Sequence, residues 1–188
     1  MIGAFTLSEL ASELGLSVTL SALKKDATFS AVTTDSRNMS AGDLYVALKG
    51  ERFNGDEFVE EALTKGAVAA VTHQSDAQAD AQRLVVDDTL SALATLARLN
   101  RDRSSAKVIA LTGSQGKTSV KEMIGSILKA KAPTLITAEN LNNTIGVPLT
   151  LLRLEARHEF AVIEMGANGA GEIAVSVAAT KPDIALIT

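Results

Sequence analysis

The chain has 188 residues, enough for one ordinary domain or two small ones. With 46% hydrophobic and 21% charged residues, its composition suits a soluble globular protein with a packed core and excludes a disordered one. A net charge of −4 leaves no basic excess for nucleic acid or an anionic membrane, and the absence of cysteine excludes disulfides and thiolate metal sites.

No stretch reaches the roughly 18 apolar residues of a membrane span. Glu9 and Glu13 interrupt the apolar N-terminus, unlike a secretory leader. A cytoplasmic location without membrane insertion is expected. Aromatic residues are scarce, so Leu, Ile, Val and Ala must build the core, as under helices packed on a parallel sheet.

Thr6-Leu7-Ser8-Glu9 reads as a capping box, followed by a helix with Leu7, Leu10, Ala11 and Leu14 on one face and Gly15 as its stop. Residues 29–35 and 43–48 are expected to be strands, separated by the polar turn Asp35-Ser36-Arg37-Asn38. A helix over 56–65 ends at Gly66, and a buried strand follows over 67–72. Residues 75–82 lack patterning and read as a loop or a loosely packed turn of helix. Residues 83–86 form a further strand. A helix carrying Leu90, Leu93, Ala94, Ala97 and Leu99 ends near Arg103-Ser104-Ser105.

From Lys107 onward, strand and helix alternate. Strands are expected over 107–112, 133–137, 160–165 and 183–188. Helices are expected over 117–131, 148–154 and 171–180. Val120, Met123, Ile124, Ile127 and Leu128 are expected to share the inner side of the 117–131 helix, with Met39, Met123 and Met165 acting as packing residues. This alternation implies right-handed crossovers and a parallel sheet. The fold class is therefore α/β. Two domains are expected, over 1–86 and 87–188, and the final strand with no closing helix suggests a truncated polypeptide. His73 and His158 stand apart from other ligand types and read as surface or boundary residues.

The strongest chemical signal is Thr112-Gly113-Ser114-Gln115-Gly116-Lys117-Thr118-Ser119, between an apolar strand and a helix. Such a junction turns free backbone amides and a helix N-terminus toward phosphate. Gly113 and Gly116 permit the sharp turn and close approach. Lys117 supplies a positive charge for the β and γ phosphates of ATP, and Thr118 a hydroxyl for Mg²⁺. Two residues separate the glycines where the general pattern has four, so this is a shortened version. Glu164 ends the strand Phe160-Ala161-Val162-Ile163; an acid at the carboxyl end of a parallel strand lies beside the loop, where ligands bind, so it is a second candidate for Mg²⁺.

The shortened loop resembles that of the Mur ligases, ATP-dependent amide-forming enzymes of peptidoglycan synthesis. So do the segments Asn140-Leu141-Asn142-Asn143-Thr144-Ile145-Gly146-Val147-Pro148 and Glu164-Met165-Gly166-Ala167-Asn168. Thr34-Asp35-Ser36-Arg37 and the stretch from Gly42 to Gly50 resemble that family's UDP-sugar domain. The resemblance covers nearly the whole chain. It departs at Asn54, where members often carry Asp, at Asp56, where they often carry His, and at Glu139, where a small residue is common.

The resemblance implies a small UDP-binding domain over 1–86, an incomplete ATP-binding domain over 87–188 and an absent third domain. It implies ATP and Mg²⁺ as cofactors. The implied substrates are UDP-N-acetylmuramoyl-tripeptide and D-alanyl-D-alanine, joined through an acyl phosphate by a monomer. Lys117, Glu164 and Asn143 would be catalytic. Gly113, Ser114, Gln115, Gly116, Lys117, Thr118 and Ser119 would hold ATP, with Thr118 and Glu164 at the metal. Ser36, Arg37, Asn142, Asn143 and Thr144 would contact substrate, although the Asn pair also suits a plain turn. Two alternatives stand beside this reading: a non-catalytic module that senses ATP, and a related ligase such as folylpolyglutamate synthetase.

Overall fold

A computed structural model describes residues 1–16, 27–50, 53–73 and 82–188. The unpatterned stretch 75–82 lies outside the described residues except for Gln82. The chain divides into two compact units, one of Gly3–Ala92 and one of Met1–Ile2 with Leu93–Thr188.

The first unit opens with β1 (Phe5–Thr6) and α1 (Leu7–Glu13). The Thr6 side chain accepts a hydrogen bond from the Glu9 amide at 3.0 Å, satisfying one free donor of the first turn. β2 (Thr28–Phe29) pairs antiparallel with β1, and the rings of Phe5 and Phe29 stack with centroids 5.9 Å apart. A parallel sheet follows, in the order β3 (Val32–Thr33), β4 (Leu44–Val46), β5 (Ala69–Thr72) and β6 (Arg83–Val85). A 3-10 turn over Gly55–Phe58 leads into α2 (Val59–Thr64), which Gly66 ends at a φ of +98°. Tyr45, Ala47, Val59, Ala62, Ala67 and Ala70 form its core.

The single strand expected over 29–35 is two. Phe29 turns to Phe5 and joins one sheet, while Val32 and Thr33 join β4 in another. Short strands with different partners cannot be told from one longer strand by alternation alone.

The second unit carries α3 (Thr89–Asp102), whose first residues belong to the first unit, then β7 (Lys107–Thr112), α4 (Lys117–Lys129), β8 (Thr134–Ile136), α5 (Gly146–Leu151), β9 (Phe160–Glu164), α6 (Glu172–Thr180) and β10 (Ile184–Ile187). The strands pair in parallel in the order β10-β7-β9-β8. β10 is an edge strand, and its Ile184 and Ile187 are exposed. α5 begins two residues before Pro148. A proline in the first turn removes an amide that has no intrahelical acceptor there, so the helix runs through it.

α4 is rotated from its expected face. Met123 and Ile127 are exposed, and the fully buried positions are Lys121 and Gly125. Gly125 allows close approach to β8, since a Cβ there would lie 2.1 Å from Ile136 Cδ1. Met165 is buried as expected; Met123 is not a packing residue among the described contacts.

Asn100 on α3 is fully buried and ties three segments together. Its Nδ2 donates to the carbonyls of Leu151 at 2.8 Å and Leu154 at 3.2 Å, and its Oδ1 accepts from the Ile2 amide at 2.8 Å. Unpaired buried polar groups cost more than the bond itself contributes. Asn100→Ala is therefore expected to destabilise the second unit by about 2–3 kcal/mol, measured by urea denaturation. A loss within experimental error would show that water replaces all three bonds.

Candidate functional site

β7 is buried between neighbours, and its register fixes the site. Leu111 lies opposite Glu164 on β9, and the Met165 amide donates to the Leu111 carbonyl at 2.8 Å. The acidic end of β9 therefore stands next to the point where β7 becomes the glycine loop. The Thr137 hydroxyl accepts from the Glu164 amide at 3.0 Å and holds this end from the β8 side.

The loop runs from Gly113 to Gly116, and α4 starts at Lys117. Gly116 has a φ of +74°, and Gly113 a φ of +146°. At Gly113 no side chain fits, because a Cβ would stand 2.0 Å from the Thr188 carbonyl oxygen. Thr188 backs the loop. Its carbonyl accepts from the Ser114 amide at 3.2 Å, and its hydroxyl donates to the Gln115 carbonyl at 2.6 Å. Lys117 lies across the loop, its Nζ donating to the Gly113 carbonyl at 2.8 Å. The first-turn amides of α4, from Lys117 to Ser119, have no intrahelical acceptors and form the positive end of its dipole.

Ser114, Gln115, Gly116, Lys117, Thr118, Ser119, Asn142 and Glu164 line one cavity of about 360 Å³. Glu164 is buried in its wall, with a relative exposure of 2%. Its Oε1 accepts from Asn142 Nδ2 at 2.8 Å and from the Thr118 hydroxyl at 3.4 Å. Its Oε2 is buried without a hydrogen bond. The structure thus brings Asn142, Thr118, Lys117 and Glu164 together.

Asn143 and Thr144 are placed differently. The Asn143 Oδ1 accepts from the amides of Gly146 at 2.7 Å and Ile145 at 3.2 Å, covering the start of α5. The Asn142 carbonyl accepts from the Gly166 amide at 2.7 Å, fastening this loop to the end of β9. Two adjacent asparagines therefore face different tasks, one toward the cavity carboxylate and one toward a helix end. Glu139, two residues before Leu141, has a φ of +47°.

Lys121 is not among the residues that the sequence pattern marks for the site. It is fully buried one turn into α4, with Nζ 3.1 Å from Glu122 Oε1 and 3.8 Å from Glu164 Oε2. The only signal for it is negative: a lysine at this spacing reads as solvated.

The first unit holds a second cavity, of about 610 Å³, lined by Thr34, Asp35, Ser36, Arg37, Tyr45, Leu48, Phe53, Gly55, Phe58 and Glu61. Arg37 is exposed but not loose. Its Nε and Nη2 donate to both oxygens of Asp35 at 2.8 and 2.9 Å. Arg37 holds the Asp35 carboxyl down at about 2 through these bonds and its own amide. Ser36 is buried, and its carbonyl accepts from Lys65 Nζ at 3.0 Å. Tyr45 donates to the Gly55 carbonyl at 3.0 Å, and burial pushes its hydroxyl up to about 12.

Beside this cavity, Asp56 is buried and accepts from the Thr72 hydroxyl at 2.6 Å and the His73 amide at 3.1 Å. Its other oxygen lies 3.2 Å from His73 Nδ1. His73 is thus a boundary residue with an acidic partner. His158 is buried, which lowers the pKa of its ring, and its Nδ1 accepts from the Glu155 amide at 3.0 Å. Among the described residues, no group of three His, Cys, Asp or Glu could hold a metal, and no helix is long and apolar enough to cross a membrane.

A parallel sheet with a glycine loop at one strand end, a helix opening on that loop and an acid at the neighbouring strand end define a phosphate-loop α/β protein. Comparison with known proteins narrows this class. Residues 28–101 match the model described as the Mur ligase family, catalytic domain, and residues 111–188 match the Mur ligase middle domain. The chain belongs to the Mur ligase family.

It is 51% identical over 162 residues to the UDP-N-acetylmuramoyl-tripeptide–D-alanyl-D-alanine ligase of Escherichia coli, covering 86% of this chain and 36% of that protein. The crystal structure of MurF from Acinetobacter baumannii superposes with a TM-score of 0.87 at 40% identity, over 99% of this chain and 41% of that one. MurF ligase from Thermotoga maritima, solved in complex with ADP, superposes with a TM-score of 0.78 at 34% identity, over 84% of this chain and 36% of that one. The chain thus spans roughly a third of the length of the curated relatives it matches.

Two measurements probe these geometries. A non-glycine residue in the left-handed region costs about 1–2 kcal/mol, partly offset by the extra chain entropy a glycine loses on folding. Glu139→Gly is therefore expected to raise stability by about 0.5–1 kcal/mol, read as a higher melting temperature; an unchanged or lower value contradicts it. For Asp35, the folded value lies below that of the unfolded chain. Its pairing with Arg37 is complete above about pH 4 and is lost as pH falls through about 2. Carboxyl-carbon NMR should show this low midpoint, and Arg37→Ala should return it toward the ordinary value near ~3.9.

Proposed function

We propose that this chain provides the ATP site and the UDP-sugar site of a ligase that adds D-alanyl-D-alanine to UDP-N-acetylmuramoyl-tripeptide. The observation that carries this reading is the convergence of the Gly113–Ser119 loop, Asn142 and Glu164 on one cavity. The relatives' names supply the substrates, and the ADP complex of the Thermotoga maritima ligase supports a nucleotide at the loop.

In this reading, the amides of the loop and of the first turn of α4 cradle the phosphates, and Lys117 swings from the Gly113 carbonyl to the terminal phosphate. There it neutralises charge as the tripeptide carboxylate attacks phosphorus and ADP leaves. The resulting acyl phosphate reacts with the amine of the dipeptide. The new amide forms, a proton is lost, and inorganic phosphate departs. Catalysis is mostly positioning and charge neutralisation. Asn143 acts here by setting the start of α5, which fixes its neighbour Asn142 against Glu164; Thr144 follows in the same turn and is proposed to contact substrate. Ser36 and Arg37 hold the uridine diphosphate in the cavity of the first unit, where a guanidinium matches phosphate geometry.

Mg²⁺ fits the residues present. The Thr118 and Glu164 oxygens stand 3.4 Å apart, close to the ~3 Å between neighbouring ligands of an octahedral ion with bonds of about 2.1 Å. Both are hard oxygen donors, and the Glu164 carboxylate is buried in the wall of the loop cavity. When bound, the ion would offset phosphate charge. We place the reaction in the cytoplasm, where ATP and UDP-linked sugars are held, and treat the protein as a monomer.

Calorimetry tests both sites. Lys117→Ala should weaken MgADP binding by at least about tenfold, and Arg37→Ala should do the same for UDP-N-acetylmuramoyl-tripeptide. Retention of MgADP affinity by Lys117→Ala would sink the ATP assignment. A protein that binds MgADP but gives no heat with the UDP ligand would be a nucleotide sensor instead.

A further inference from the structure

We propose that Lys121 is a positioning residue for Glu164: its buried ammonium draws Oε2 inward and leaves Oε1 presented beside Thr118. The inference rests on the reading of Glu164 as a Mg²⁺ ligand and adds to it the group that aims the carboxylate.

The two oxygens of Glu164 have different surroundings. Oε1 meets the Asn142 amide and the Thr118 hydroxyl on the cavity side. Oε2 makes no hydrogen bond, and Lys121 Nζ, 3.8 Å away, is the cation paired with it. Both side chains are almost wholly removed from solvent, at 1% and 2% exposure. A buried ammonium is costly to desolvate, and an apolar residue of similar length would fill the same position on α4 more cheaply. Lys121 is also tethered from its own helix, by Glu122 at 3.1 Å. Glu122 is largely exposed, so its attraction is screened by solvent; the attraction between the two buried groups is not. The result is a carboxylate fixed at both oxygens, one turned to a buried charge and one to the loop. Lys121 lies one helical turn beyond Lys117 on α4.

A merely structural lysine would affect nucleotide binding with and without metal alike. A lysine that aims Glu164 should affect only the part of binding that metal adds. The test titrates the full chain with ADP in excess Mg²⁺ and again in EDTA, with the ratio of the two affinities as the readout. Lys121→Met should reduce that ratio by about tenfold while leaving EDTA affinity unchanged. Lys121→Arg, which keeps the charge, should preserve most of it. On a Glu164→Gln background, Lys121→Met should have no further effect, because the two changes act through one group.

Equal loss in Mg²⁺ and EDTA, or an undiminished effect on the Glu164→Gln background, overturns the inference and leaves the Glu164 assignment standing. A wild-type ratio of one, or a ratio untouched by Glu164→Gln, removes the Glu164 assignment and the inference with it. Should Lys121→Met not fold, Lys121→Gln serves as a polar, uncharged second variant. A partly reduced ratio in that variant supports positioning, and failure of both variants to fold assigns Lys121 to stability alone.

Discussion

The site depends on one strand pairing, the parallel register that sets Leu111 of β7 opposite Glu164 of β9. A slip of one residue would bring Ile163 or Met165 to that place and turn the carboxylate to the other face of the sheet. The register is held by buried aliphatic side chains along both strands, and at its end by the Thr137 hydroxyl and the Leu111 carbonyl. Everything else in the cavity is local. The loop follows β7 directly, and Asn142 reaches the same carboxylate through a loop fastened to the Gly166 amide. Hydrophobic burial thus decides the position of the most polar group in the site.

Much of this was legible in the sequence because its signals are contiguous. Strand, glycine loop and helix adjoin in the order that their geometry needs, and Glu164 ends an unbroken apolar run. What escaped depends on neighbours far along the chain. The apolar stripe of α4 suggested that Met123 and Ile127 face inward, but close packing of Gly125 on β8 turns the helix and buries Lys121. Its role has no local sequence signature, since its partner lies 43 positions away on β9. Asn142 and Asn143 are alike in type and adjacent in sequence; only the turn that starts α5 separates their tasks. The split between β2 and β3 was hidden for the same reason, because strand partners are not written in the strand.

Two of the family departures acquire local explanations. Asp56 has its own partners in Thr72 and His73, so the buried carboxylate is accommodated by residues of β5 and just beyond it. Glu139 keeps a left-handed backbone without the freedom of glycine, so the fastening of this loop to β9 and α5 overrides a local preference.

The clasp between Asp35 and Arg37 has a consequence for recognition. A free arginine on a surface samples many rotamers and gives up that freedom when a ligand stills it. Here two of its nitrogens are already occupied by the carboxylate, and the fork is oriented before any visitor arrives. In the proposed uridine diphosphate site, an incoming anion would meet a guanidinium already oriented by Asp35 and would engage its remaining N–H donors.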